Sequence, residues 1–116
     1  MKISSETLSG FSSDIFSAAG CARDEADRIG HYLTIANLTG HPSHGGTRVP
    51  RYVAMMEKQM VFPGKSITVL KDTDVIAVVD GHFGFGQTIG EQAVDLGIAK
   101  ARKHGASVIS IQNVGH

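Results

Sequence analysis

The sequence predicts an α/β protein of the α+β type, in which a helical hairpin and a short helix precede the start of a mixed sheet with one packing helix. Two observations predict this order. Up to residue 60, apolar residues recur at intervals of three and four, which is typical of amphipathic helices. Runs of β-branched residues begin after residue 66 and flank one further helical stretch.

The composition is that of a small, electrically balanced globular protein. Its 116 residues suffice to bury a core without disulfides or metals. Since 11 basic and 11 acidic residues leave no net charge, neither nucleic acid nor a membrane surface is an expected partner. The N-terminal residues contain no apolar run as long as a signal peptide or a membrane span, so we expect a cytoplasmic protein that acts on small molecules.

Cys21 is the single cysteine, which excludes an intramolecular disulfide, and no CxxC pair or Cys/His cluster indicates a metal site. Its position near a predicted helix start could lower its pKa and make it reactive. The favoured interpretation is an inert, small apolar side chain.

The first two helices are predicted over residues 4–19 and 23–39. Ser4 or Ser5 can cap the first helix, and Gly40 can terminate the second. The two helices should pack as a hairpin. Their predicted inner faces consist of Leu8, Phe11, Ile15 and Ala18 or Ala19 in the first helix, and of Ala26, Ile29, Leu33 and Ala36 in the second.

The polar segment that follows, residues 40–51, concentrates more usable chemistry than any other stretch. Ser43 offers a hydroxyl, and His44 offers an imidazole, which can give or take a proton near neutral pH. Arg48 adds a planar cation that suits a carboxylate. Together these side chains suit a site that binds an organic acid and protonates a group attached to it. The alternative interpretation is a plain connector between two helices.

A short helix opened by Pro50 is predicted over residues 50–60, and Phe62-Pro63-Gly64 should end it. The predicted inner face of this helix consists of Tyr52, Val53, Met56 and Met60.

The second half of the chain reads as strands around one helix. Two strands, one with Ile67 and Val69 and one over residues 75–79, should flank a turn at residues 71–74. A glycine-rich turn from Asp80 to Gln87, a helix over residues 88–104 and a buried strand over residues 107–112 should follow. The spacing of Gly81, Gly84 and Gly86 does not match GxGxxG, so we do not predict a Rossmann fold.

The order and spacing of several short motifs resemble the opening third of the type 2 malate/L-lactate dehydrogenases, which are NAD(P)-dependent 2-oxoacid reductases. Members of this family differ in substrate, which includes malate, lactate, sulfolactate, diketogulonate and cyclic imino acids. The motifs are Ser43-His44-Gly45, Arg48 with Pro50-Arg51-Tyr52, Val79-Asp80-Gly81 with Gly84, Gly86 and Gln87, and Asn113 with His116.

The resemblance implies a non-Rossmann oxidoreductase that uses NAD or NADP on a small 2-oxo or 2-hydroxy acid. It also implies a homodimer. His44 is then the candidate proton donor, and Ser43 orients its ring or relays the proton. The resemblance points to Arg48 as the residue that holds the substrate carboxylate and places His116 in the nicotinamide cofactor region. His116 is also the main rival to His44 as the proton donor.

Two regions are expected, a helical region over residues 1–62 that carries the Ser-His-Gly motif and the beginning of a cofactor-binding α/β domain over residues 63–116. Because the sequence stops within a family motif, we expect it to be the N-terminal part of a longer protein. The alternatives are a non-catalytic interaction or dimerisation module, and a cyclic imino-acid reductase of the same family.

Overall fold

The computed structural model describes all residues from Met1 to His116, which group into two compact units, Met1–Gly64 and Lys65–His116. The elements of the first unit are α1 (Ser5–Ala18), α2 (Arg23–Leu38), two short 3₁₀ helices (Pro42–His44 and Gly46–Arg48) and α3 (Val49–Glu57). Those of the second unit are β1 (Thr68–Asp72), β2 (Ile76–Gly84), α4 (Gly86–His104) and β3 (Val108–Val114). The assignment of the chain to two domains stays a prediction.

Helices α1 and α2 pack against each other, as the sequence predicts, but through a different face of α1. The buried residues of α1 are Ser12, Ser13 and Phe16, whereas Phe11 of the predicted inner face is 62% exposed. The reason is a close approach at Gly30 of α2, where a Cβ atom would lie 2.7 Å from the carbonyl oxygen of Ser9. Small side chains therefore line the contact, and the apolar stripe is rotated away from it.

Helix α3 is joined to this pair through Tyr52, which is only 3% exposed. Its ring centroid lies 6.2 Å from that of Phe16, at a distance typical of favourable aromatic pairs. The helix begins near Pro50, as predicted, but ends at Glu57 rather than at residue 60. Met60 therefore lies beyond the helix and is exposed, contrary to its predicted place on the inner face.

The second unit contains a mixed three-stranded sheet in the order β1-β2-β3. Strand β1 is antiparallel to β2, and β2 is parallel to β3, with α4 as the connection between the two parallel strands. The mixed sheet with a packing helix is the arrangement that the sequence predicts. The core of this unit is formed by Ala77, Val79, Phe85, Ile89 and Ala93.

The structure corrects the predicted ends of β1 and β2 and the predicted burial of β3. Strand β1 continues through Lys71 to Asp72, two residues that were predicted to belong to the turn. The turn begins at Thr73 instead, where the backbone N–H donates to the carbonyl of Ile76. Strand β2 continues to Gly84 instead of ending before Asp80. Strand β3 is mostly exposed rather than buried, because it lies at the edge of the sheet with β2 as its one neighbour.

Candidate functional site

The Ser-His-Gly segment, residues 41–48, is a rigid pair of 3₁₀ helices rather than an open loop. Three backbone hydrogen bonds close its turns: His44 N–H donates to His41, Gly45 N–H to Pro42 and Arg48 N–H to Gly45, at 2.9–3.1 Å. The Thr47 hydroxyl adds a bond to the carbonyl of Pro42 at 2.8 Å. The backbone that carries the candidate side chains is therefore fixed by contacts within the segment.

Ser43 holds the ring of His44, with its Oγ 3.1 Å from Nδ1. A hydroxyl both donates and accepts hydrogen bonds, so Ser43 can hold Nδ1 when the ring is neutral and when it is protonated. Both residues lie at the surface of their unit, where a small molecule can reach them.

The same serine anchors Arg48, whose Nε donates to the Ser43 carbonyl oxygen at 2.6 Å. This bond occupies the side of the guanidinium that contains Nε. The Nη1 and Nη2 groups at its end form the second fork with which an arginine can bind both oxygens of a carboxylate. Ser43 thus joins His44 to Arg48, and the three predicted site residues of this unit form one connected group.

Asn37, in the last turn of α2, fixes this segment to the helix hairpin and was not predicted from the sequence. Its Oδ1 accepts a hydrogen bond from the backbone N–H of Gly46 at 2.7 Å. A Cβ atom at residue 45 would lie 1.9 Å from the same oxygen, so Gly45 is the residue type that allows this contact. The signal in the sequence was the adjacent Gly45-Gly46 pair, which does not reveal its partner.

The glycine-rich turn of the second unit, residues 80–86, contains an unusual backbone. The β2–β3 register is interrupted between Asp80 and Gly84. Within this interruption His82 and Phe83 have φ values of 52° and 57°, in the left-handed region, which only a few per cent of non-glycine residues adopt. The glycines of this turn are recognisable in the sequence, whereas the left-handed backbone of His82 and Phe83 is not.

The last residues of the chain, 113–116, pack against this turn. The backbone N–H of Gly115 donates to the carbonyl of Gly84 at 2.8 Å. A Cβ atom at residue 86 would lie 3.1 Å from the carbonyl oxygen of Gly115 and 3.3 Å from the carbonyl carbon of His116. Gly86 therefore permits the close passage of this terminal segment, in which the His116 side chain is exposed.

Asp80 is the carboxylate of this turn. Its Oδ1 accepts from the backbone N–H of His82 at 2.8 Å, and its Oδ2 accepts from Nδ2 of Asn113 at 3.2 Å. The His82 N–H is the largest cause that lowers the pKa of Asp80, and the side chains of Asn113, His82 and Gln112 lower it further. Asp80 is consequently an ionised acceptor throughout the neutral pH range.

Cys21 belongs neither to the Ser-His-Gly segment nor to the glycine-rich turn. Burial, with a further contribution from the Glu25 carboxylate, raises the pKa of its thiol to about 12. The thiol is therefore protonated at neutral pH, and the interpretation as an inert apolar side chain is confirmed.

No helix of the chain is both long and apolar enough to cross a membrane.

Comparisons with known proteins relate the whole chain to one family. Residues 3–116 match the family described as malate/L-lactate dehydrogenase. The chain is 30% identical over 115 residues to hydroxycarboxylate dehydrogenase B of Escherichia coli O157:H7, an alignment that covers 99% of this chain and 32% of the relative. It spans about a third of the length of the curated relatives it matches.

Two solved structures show the same fold. Malate dehydrogenase from Pyrococcus horikoshii OT3 matches all of this chain and 33% of its own, with a TM-score of 0.95 and 28% identity. The Δ1-piperideine-2-carboxylate reductase from Pseudomonas syringae matches 97% of this chain and 34% of its own, with a TM-score of 0.85 and 27% identity. These similarities confirm the resemblance and the fold class inferred from the sequence motifs.

Proposed function

The chain belongs to the malate/L-lactate dehydrogenase family. We propose that it forms part of an oxidoreductase that reduces a 2-oxo acid with a hydride from NAD(P)H. In the reverse direction, this enzyme oxidises the corresponding 2-hydroxy acid with NAD(P)⁺. The observation that carries this proposal is the double role of Ser43. Through its hydroxyl and its carbonyl, it joins His44 and Arg48 in one rigid segment. A proton donor and a carboxylate-binding cation are the two groups that reduction of a 2-oxo acid requires.

Arg48 binds the substrate in this proposal. Its end-on Nη1/Nη2 fork pairs with both oxygens of the carboxylate, because Nε is held by the Ser43 carbonyl. A bidentate pair fixes the orientation of the carboxylate plane as well as its position. The neighbouring carbonyl group is thereby held in one orientation, which contributes the positional part of catalysis.

His44 supplies the proton. Hydride addition to the carbonyl carbon breaks the C=O π bond and leaves the electron pair on oxygen. Nε2 of the protonated ring then donates its proton to that oxygen, while Nδ1 remains hydrogen-bonded to Ser43. In the direction of 2-hydroxy acid oxidation, the neutral ring accepts the hydroxyl proton at Nε2.

The residues of the second unit fit a nicotinamide dinucleotide, the kind of cofactor that this family uses. When bound, such a cofactor supplies the hydride. The first turn of α4 contains no acidic residue, so the positive end of its helix dipole favours an anionic ligand. Gly86 at this position allows the 115–116 backbone to pass closely, which brings His116 to the same turn. We propose that His116 contacts the cofactor.

A second candidate function is reduction of a cyclic imine that carries a carboxylate. The structural similarity to the Δ1-piperideine-2-carboxylate reductase favours it. Arg48 would bind the carboxylate in the same way, and the hydride acceptor would be a C=N carbon. A panel of 2-oxo acids and cyclic imines, assayed with NADH and with NADPH, separates the two candidates and identifies the cofactor.

The test is a substitution of His44 in a chimera whose N-terminal third is this chain and whose remainder comes from the P. horikoshii enzyme. His44→Ala should lower turnover by roughly 10²–10⁴-fold, the usual contribution of a general acid. The affinity for the reduced cofactor, measured by its fluorescence, should stay close to that of the unsubstituted chimera. Near-normal turnover would contradict the assignment of His44.

His116→Ala in the same chimera is the matched comparison. If His116 serves the cofactor, this change should mainly raise the apparent KM for NAD(P)H and preserve the pH dependence of the chemical step. The opposite result would be that His116→Ala abolishes turnover and removes an ionisation from the pH–rate profile, whereas His44→Ala does neither. In that case His116, and not His44, would be the proton donor.

A further inference from the structure

The backbone at one end of the sheet is left-handed at three residues that are not glycine. His82, Phe83 and Asn113 all have φ values between 52° and 57°, and they belong to two neighbouring strand ends. Such conformations persist only where the surrounding contacts enforce them, and they are concentrated at functional sites. The contacts that enforce these three residues therefore indicate what this end of the sheet is built to hold.

Asp80 supplies those contacts for both strand ends. One carboxylate oxygen accepts the backbone N–H of His82, and the other accepts Nδ2 of Asn113. The His82 ring is held in turn by Thr68 of β1, whose Oγ1 lies 2.7 Å from Nε2. Hydrogen bonds to an ionised carboxylate are stronger than those to a neutral acceptor. A single side chain thus fixes the irregular end of β2 to the end of β3.

The position of Asn113 determines the course of the residues that follow it. The Asn113 carbonyl oxygen would be 3.0 Å from a Cβ atom at residue 81, so Gly81 allows it to lie against the turn. Two residues later, the Gly115 N–H reaches the carbonyl of Gly84 at 2.8 Å. The left-handed backbone at Asn113 is what directs the chain from the edge of the sheet to this contact and on to His116.

We propose that Asp80 is a positioning residue for the cofactor-binding segment 113–116: it holds Asn113 in its left-handed conformation and so aligns Gly115 and His116 with the N-terminus of α4. The inference rests on the proposed function in one respect, the contact of His116 with a nicotinamide cofactor. Asp80 acts through Asn113 and is not itself a catalytic residue.

Two readouts test this role in Asp80→Asn, which keeps the shape of the side chain but loses the charge and one acceptor. The first is the hydrogen exchange of the Gly115 amide in this protein, which should become at least about tenfold faster, as expected for the loss of hydrogen bonds to a charged group. The second is the affinity of the chimera for NADH, with NADPH in parallel, which should weaken by a similar factor. Asp95→Asn, which removes an exposed carboxylate from α4, is the matched control and should change neither readout.

A double-mutant cycle with Asn113→Gly separates positioning from a general structural effect. Glycine adopts a positive φ without strain, so it no longer needs the Asp80 contact. In that background, the effect of Asp80→Asn on Gly115 exchange should be at least about threefold smaller than in the unsubstituted protein. Equal effects in both backgrounds would overturn the inference. Asn113→Ala removes the donor of the same hydrogen bond and decides the question if Asp80→Asn fails to fold.

The outcomes distinguish this inference from the proposed function. Unchanged Gly115 exchange in Asp80→Asn, or faster exchange with unchanged cofactor affinity, overturns the role of Asp80 alone. An unsubstituted chimera that binds neither NADH nor NADPH contradicts the proposed function, and the cofactor role of Asp80 falls with it. Faster exchange together with weaker binding, both smaller in the Asn113→Gly background, supports the inference.

Discussion

Ser43 contributes to the candidate site through two different atoms. Its side-chain Oγ holds the ring of His44, whereas its backbone carbonyl oxygen holds Nε of Arg48. A substitution of the side chain therefore removes one contact and leaves the other in place. In the proposed enzyme, Ser43→Ala tests how the proton is delivered, and a substitution of Arg48 tests how the carboxylate is bound.

Arg48→Lys should weaken substrate binding in the chimera. Lysine keeps the positive charge but has neither the planar fork nor the Nε that bonds to Ser43. We expect the apparent KM for the 2-oxo acid to rise by about tenfold or more, because a bidentate, charge-assisted pair is replaced by a single contact. Steady-state kinetics with the 2-oxo acid varied at saturating cofactor measures this change.

Arg51→Lys is the matched control, since Arg51 is an exposed arginine three residues further along the chain. Its KM should stay within about twofold of the unsubstituted value, as for most surface substitutions. An unchanged KM in Arg48→Lys, or an equal increase in both variants, would show that Arg48 does not hold the carboxylate.

At the scale of residues, the sequence predicted the side chains of the proposed site but not the residues that hold them in place. Ser43, His44 and Arg48 were found because hydroxyl, imidazole and guanidinium groups within six residues suggest a site by their type alone. Asn37 accepts a hydrogen bond from the backbone N–H of Gly46, and Asp80 accepts one from the backbone N–H of His82 and another from the side chain of Asn113. Contacts of this kind depend on the path of the folded chain, which no spacing rule specifies.

At the scale of elements, the contact between α1 and α2 depends on the absence of a side chain at Gly30. The atoms that a Cβ would meet there, the carbonyl oxygen of Ser9 at 2.7 Å and the backbone N of Ser13 at 3.2 Å, belong to the backbone of α1. A backbone cannot move aside as a flexible side chain can. The two helices would have to separate to accommodate even a methyl group.

Gly30→Ala and Gly10→Ala form a matched pair that measures this constraint. Both glycines lie within helices, but a Cβ at residue 10 would have nothing within 4 Å. Gly10→Ala should stabilise the protein by up to about 1 kcal/mol, because alanine is the better helix former. Gly30→Ala should be less stable than Gly10→Ala by about 1–3 kcal/mol, the usual cost of overpacking. The free energies of unfolding in urea give this difference, and equal values would contradict the close contact at Gly30.

Periodicity predicted which helices and strands form, but it predicted only in part which of their faces are buried. The periods of three and four in α1 and α2 predicted two helices that pack together, because that pattern is a local property of the chain. The face of α1 that is buried was predicted wrongly, since Ser12 and Ser13 are polar and Phe11 is apolar. Close packing at Gly30 outweighed the hydrophobic pattern. Similarly, β3 resembles a buried strand in composition, but its place in the strand order leaves it exposed.

At the scale of the whole molecule, an apolar surface of the second unit is exposed. A groove of about 420 Å³ lies between the outer side of α4 and β3. Val94, which is 59% exposed, and Ile98 form its helical wall, and Ile109 and Ile111 form part of its strand wall. The strand that borders it, β3, is also one of the two edge strands of the sheet. Exposed apolar patches and unpaired strand edges both favour association with another chain.

We therefore expect the 116-residue protein on its own to self-associate through this groove. Sedimentation velocity should show species larger than the monomer whose fraction grows with concentration. Val94→Lys places a charge within the groove and should shift the distribution towards monomer, since burying an unpaired ammonium group is strongly unfavourable. Leu38→Lys is the matched control: Leu38 is an exposed apolar residue at the end of α2, in the other unit, and its substitution should leave association unchanged. A single monomeric species over the whole concentration range would show that the groove does not drive association, and equal effects of the two substitutions would place the contact elsewhere on the molecule.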